Sequence, residues 1–106
     1  MVESKIKWSK NAEIDLFETL KFYTQRNKST IYSKTILKEV TDSTINLLTF
    51  PMLGRPYGKL LRILVVMNYN IYYQVQKDLI EIHLFWDTRR NPAELEISLK
   101  RIKLYE

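Results

Sequence analysis

The chain has no cysteine, which excludes disulfide frameworks, cysteine zinc sites and thiol nucleophiles. It has one histidine, so a multi-histidine metal centre is excluded as well, and a Ser-His triad could use only His83. Two Gly and three Pro are too few for a low-complexity or collagen-like chain. The longest apolar run, Ile63 to Met67, cannot span a bilayer. Residues 1–20 carry charges throughout and lack the unbroken apolar core of a signal peptide. No phosphate-binding Gly loop, HExxH or paired-carboxylate motif occurs, and neither cofactor nor metal is expected. These absences point to a small cytoplasmic domain with no membrane partner.

What is present suits one core. The 106 residues are 45% hydrophobic and 27% charged, too few to bury two cores, and residues 1–106 read as a single domain. Seventeen Lys and Arg against twelve Asp and Glu leave a net charge of +5. In so small a chain that balance favours an anionic partner, either nucleic acid or an acidic protein segment.

Both glycines and two of the prolines fall within residues 50–59, which marks this stretch as the main loop. Before it the signals are mostly helical. Lys5-Ile6-Lys7-Trp8 alternates like a half-buried strand, and Ser9 stands where a helix N-cap belongs. Ala12, Leu16, Leu20 and Tyr23 form the apolar stripe of a helix over about 10–26, widened by Phe17. Ser29 can cap a second helix whose buried face runs through Tyr32, Ile36, Val40, Thr44 and Leu47 to about residue 49. Two long helices with so short a link should form an antiparallel hairpin.

After the loop the signals turn to strand. Leu60–Met67, Tyr69–Gln76 and Leu79–Asp87 are separated by links short enough to require an antiparallel meander. Alternation places Ile71 and Tyr73, then Ile82 and Trp86, toward the helices, with Ile63 and Val65 expected beside them. Asn91-Pro92-Ala93-Glu94 is a compact helix start, and Asn91–Glu106 reads as a closing helix on Leu95, Leu99 and Ile102. The expected fold is α+β, in the order β-α-α-β-β-β-α. An antiparallel sheet carries the N-terminal helical hairpin packed on one face, and the helices leave the other face open.

That open face is the candidate site. Tyr72 is expected there between amides, where it could stack a base or anchor a peptide. Arg62, His83 and Asp87 are expected on the same side, with Arg89 and Arg90 at the strand's end and Arg55 and Lys59 in the loop. A cationic rim around an aromatic centre can bind RNA or an acidic peptide, while a solvated face with local ion pairs to Glu81 and Asp87 would account for the same residues.

The whole pattern resembles the RelE/ParE superfamily of toxins from type II toxin–antitoxin systems. The resemblance rests on the opening strand ending in Trp8-Ser9, on Ala12-Glu13-Ile14-Asp15-Leu16, and on Pro51-Met52-Leu53-Gly54-Arg55. Arg62 on its strand, Tyr69-Asn70-Ile71-Tyr72-Tyr73 and Asp87-Thr88-Arg89-Arg90-Asn91-Pro92 complete it. It implies a basic toxin neutralised by a cognate antitoxin whose extended or helical segment wraps around it. RelE-like members cut ribosome-bound mRNA and use cations to stabilise the phosphate, whereas ParE-like members act on DNA gyrase. Arg62 and Arg89 match the nuclease branch's cations. Asp87 stands where many nucleases have His, and an anion there would repel phosphate. Tyr105 is no clear match for the aromatic acid–base group near the C-terminus of nucleases. The resemblance therefore favours a ParE-like or other non-nuclease toxin, with a RelE-like mRNA endonuclease and an inactive basic binding module of the same fold as the alternatives.

Overall fold

The computed structural model describes residues 5–102. The first strand, β1 (Lys5–Trp8), runs into α1 (Lys10–Asn27), and α2 (Ile31–Ile45) continues through a 3-10 turn at Asn46–Leu48. Four more strands follow, β2 (Arg55–Tyr57), β3 (Leu61–Val66), β4 (Tyr69–Val75) and β5 (Leu79–Asp87), and α3 (Pro92–Lys100) closes the order. Two of the three helix starts, those of α1 and α3, have a side-chain cap. Thr30 at the N-cap of α2 makes none, and the expected cap Ser29, one residue earlier, accepts from the Ile31 amide at 3.2 Å. Ser9 Oγ accepts from the Ala12 amide at 3.2 Å, and Asn91 Oδ1 accepts from the Ala93 amide at 3.0 Å, each satisfying a first-turn donor that the helix leaves unpaired. At the other end of α1, Lys28 adopts the left-handed conformation, turning the chain sharply into α2.

The sheet order is β1-β5-β4-β3-β2. Strands β2 to β5 are antiparallel, as their short links require, while β1 lies parallel to β5 at one edge. A parallel neighbour is available to β1 because the whole helical hairpin intervenes before the chain returns to the sheet. The short strand β2 lies inside the stretch expected as loop. Its Pro56 is tolerated there because β2 is an edge strand.

Two cores flank the sheet. The larger joins Ala12, Leu16, Ile36, Val40 and Leu47 of the hairpin region to Leu64, Val66, Ile71, Tyr73, Ile80 and Ile82. On the opposite face, α3 buries Leu99 against Ile63, Tyr72, Leu84 and Trp86. The sheet is thus covered on both faces, contrary to the expectation of an open one. This second layer hides the phase of β3, because a strand buried on both faces loses its polar alternation. Leu64 and Val66 face the hairpin, Ile63 faces α3, and Val65, expected in the core, is 56% exposed.

A register shift between Tyr72 and Tyr73 explains the other misplaced residue. Tyr73 pairs with Ile82 and Tyr72 with Leu84, so His83 is inserted without a partner across the ladder. Such a bulge resets the alternation. Ile80, Ile82 and Phe85 pack toward the hairpin, whereas Leu84 and Trp86 pack toward α3. The start of α1 is anchored to this irregularity, since Ser9 Oγ donates to the His83 carbonyl at 3.1 Å.

Candidate functional site

The eight candidate residues do not form one rim. Their positions follow from the two-sided sheet and the bulge, and they fall into four groups, of which those of His83 and Arg90 meet in one cleft.

The first group fixes the loop before β2. Arg62 sits opposite Tyr73 on the hairpin-facing side of the sheet, not on the face of Tyr72. Its guanidinium Nη1 donates to the carbonyls of Gly54 and, at 3.4 Å, Met52. The Tyr73 hydroxyl donates to the Pro51 carbonyl and accepts from the Gly54 amide, both at 2.8 Å. Burial pushes the Tyr73 hydroxyl above the usual phenol range, which keeps it protonated as a donor. Gly54 is required here by space: a Cβ would stand 2.6 Å from the Ile63 carbonyl oxygen. Arg55 and Lys59 flank this loop as exposed cations.

The second group closes the far end of the sheet. The Asp87 carboxylate accepts from Arg89 three times, from the backbone amide at 2.9 Å, from Nε at 3.0 Å and from Nη2 at 2.8 Å. Nη2 of Arg89 also donates to the Tyr23 hydroxyl at 2.8 Å, tying the end of β5 to α1. These hydrogen bonds, chiefly from the Arg89 side chain, hold the Asp87 carboxyl below the ordinary carboxylate range, so it is anionic at neutral pH. Asp87 pairs with Tyr69 and Arg62 with Tyr73, so four residue steps along β4, about 13 Å of strand, separate the two arginines' attachment points.

The third group surrounds the bulge. His83 Nε2 lies 3.2 Å from the Gln74 side-chain oxygen and 3.8 Å from Glu81. Burial lowers the His83 pKa and outweighs the opposing pull of Glu81, so the imidazole is neutral at pH 7. In the fourth group, Arg90 stacks 4.5 Å above the Trp86 ring and donates to Glu94 at 3.0 Å. Tyr72, expected as the exposed centre of the site, is 2% exposed beneath α3 and meets Tyr57 edge-on at 5.3 Å.

A cleft of about 570 Å³ lies between the start of α1 and the end of α3, with Asp15, His83, Ser98, Arg90 and Arg101 in its lining. Burial raises the Asp15 pKa against the opposing influence of Arg90 and Arg101. Among the described residues no cluster of three His, Asp or Glu side chains could hold a metal ion, and no helix is long and apolar enough to cross a membrane. Tyr105 lies outside the described residues.

Two of the residues that matter most, Tyr23 and Tyr73, read from sequence as core. Both do pack in the core, yet each hydroxyl also makes a polar contact that no periodicity announces. The loop had a clearer signal: Phe50, Met52 and Leu53 are apolar residues among prolines and glycines, and all three are exposed.

The comparisons agree with the architecture. Among solved structures, a chain of the chromosomal ParDE toxin–antitoxin system from P. aeruginosa superposes with a TM-score of 0.68 at 15% identity, covering 82% of this chain and 98% of that one. At that identity the likeness establishes the fold. No curated protein matches the chain significantly by sequence. The model for the ParE toxin of the type II toxin–antitoxin system parDE matches residues 6–92. The chain belongs to the ParE toxin family and is the toxin component of a type II toxin–antitoxin system.

Proposed function

We propose that this toxin arrests growth by binding an essential protein, with DNA gyrase as the target to test, and that it performs no phosphodiester chemistry. The observation that carries this reading is the engagement of both candidate catalytic cations. Arg62 is committed to backbone carbonyls of the loop and Arg89 to Asp87 and Tyr23. Stabilising a phosphorane-like transition state requires preorganised cations converging on one point. Here the two belong to opposite ends of the sheet. Asp87, anionic beside Arg89, would repel a phosphate, and neutral His83 is tied to Gln74.

The toxin works in the cytoplasm and is neutralised there by a cognate antitoxin, for which its net charge of +5 favours an acidic segment. A direct test compares two purified reactions. The wild-type protein is expected to inhibit DNA supercoiling by gyrase and to leave mRNA intact on translating ribosomes. Ribosome-dependent cleavage that disappears in Arg62→Ala, with the fold retained, would overturn the reading.

A further inference from the structure

A toxin that acts by binding needs a surface for its target, and the loop between α2 and β2 has the properties of one. Phe50, Met52 and Leu53 are 62%, 62% and 55% exposed, and it is their clustering within four residues, rather than exposure of any one, that marks the loop. Leu60 is exposed beside them, lining one shallow depression with Met52 and Lys59. A loop of this composition could avoid water by collapsing onto the sheet, but its backbone is pinned. Tyr73 holds Pro51 and Gly54 from below, and Arg62 holds Gly54 and Met52. The four backbone groups are satisfied inward while the apolar side chains stay outward.

Pinning matters for affinity, because a surface ordered before association loses less conformational entropy when it binds. The electrostatics narrow the partner further. Residues 43–77 contain no Asp or Glu, and their cations are Arg55, Lys59, Arg62 and Lys77. With Arg62 turned inward, Arg55 and Lys59 remain as an exposed basic flank of the apolar loop. Three of the four exposed side chains, Met52, Leu53 and Leu60, are aliphatic or thioether groups that fill apolar pockets and give a nucleobase no π-face; Phe50 alone could stack a base, so the surface as a whole favours protein over nucleic acid. Exposed apolar side chains on a backbone held in place suit a preformed apolar site on a folded partner.

We propose that the clamped apolar loop Phe50–Leu53, together with Leu60, is the surface by which this toxin engages its target, a folded protein presenting an apolar pocket bordered by acidic groups. The proposal rests on the binding reading above and assigns a place on the molecule to it.

The test uses the full chain carrying Phe50→Ser or Met52→Ser, with purified DNA gyrase as probe and growth arrest as a second readout. Both changes are at exposed positions, and a thermal melt establishes that each variant is folded. If one variant melts early, the other decides. The expected result is loss of growth arrest and a rise of about thirtyfold or more in the concentration that half-inhibits supercoiling, the size of a hot-spot truncation. Binding to the cognate antitoxin should stay within about threefold. Tyr73→Phe keeps every apolar side chain but unties the loop, and a smaller loss of inhibition is expected from it.

Wild-type arrest by folded Phe50→Ser and Met52→Ser proteins would overturn the proposal. So would a parallel loss of antitoxin binding, which would assign the loop to the antitoxin, or a loss confined to binding of a DNA duplex. The underlying reading fails separately. Should the wild type leave gyrase active while both variants abolish arrest without mRNA cleavage, the surface stands and gyrase is excluded. Cleavage of ribosome-bound mRNA by the wild type would overturn the binding reading itself.

Discussion

Removing one charge from Asp87 separates a structural arginine from a catalytic one. In Asp87→Asn one carboxylate oxygen becomes an amide nitrogen, so a donor faces the Arg89 guanidinium where an acceptor stood. The backbone amide of Arg89, 2.9 Å from Oδ1, can keep its acceptor. The lost bond is the charge-assisted contact of Arg89 Nη2 with Oδ2, at 2.8 Å. Such a bond is worth about 1.5–3 kcal/mol where water is excluded. The Arg89 side chain is 51% exposed, so solvent screening reduces that figure. Orientation of Arg89 toward Tyr23 is weakened at the same time, which loosens the tie between β5 and α1. The expected cost is about 1–2 kcal/mol, or roughly 5–10 °C in melting temperature for a domain of this size.

The pH dependence gives the stricter check. The folded-state pKa of Asp87 lies below its unfolded value of about 3.9. Its contribution to stability is therefore fully present above that unfolded value and is lost as pH falls through the folded one. The difference in stability between wild type and Asp87→Asn should be constant from pH 7 to about pH 5 and shrink below about pH 4. Denaturant melts at pH 7, 5, 4 and 3 measure it. Melting of the variant within a degree of wild type at pH 7, or a gap that stays flat to pH 3, would refute the argument. The same logic extends to Arg89→Ala, where a structural role predicts loss of toxicity only in proportion to lost stability.

Three further outcomes are expected. Ile82→Asp should unfold the domain, because Ile82 is completely buried in the main core and an unpaired carboxylate there has no compensating partner; a soluble variant with native melting would show that this face is not the core. Gly54→Ala should cost about 2 kcal/mol or more by overpacking against the Ile63 carbonyl and the Tyr73 ring, and an unchanged denaturation midpoint would show that the loop yields freely. Met67→Gly should raise stability by up to about 1 kcal/mol, since Met67 holds a φ of 56° in the β3–β4 turn, and a lower melting temperature would mean that its side-chain contacts outweigh the relief.

How legible the fold was depended on what each signal reports. The caps at Ser9 and Asn91, the hairpin stripe and the strand meander are written in residues close together in sequence, and the structure has them all except that Phe17, expected to widen the stripe, is 56% exposed. The failures began where a local pattern met a second layer. Helix α3 buries the far face of the sheet through Leu99, so β3 carries apolar residues on both sides and its phase is undetermined by alternation. The bulge at His83 is a single unpaired residue, yet it shifts Trp86 from the hairpin core to the α3 core.

The site was less legible for a related reason. A cation's role is decided by what it touches, and the partners of these cations are distant in the chain or are backbone atoms. Arg89 meets Tyr23 from 66 residues away, and Arg62 meets carbonyls of Met52 and Gly54, groups that every sequence has. Likeness to a nuclease motif identified both arginines as candidates for chemistry, but the hydrogen bonds they make are those of braces. In this family member the conspicuous charges organise the scaffold. Arg89 ties β5 to α1, whereas Arg62, with Tyr73, holds an apolar loop in place, and exposed apolar residues on a braced loop are the stronger sign of where a binding toxin meets its target.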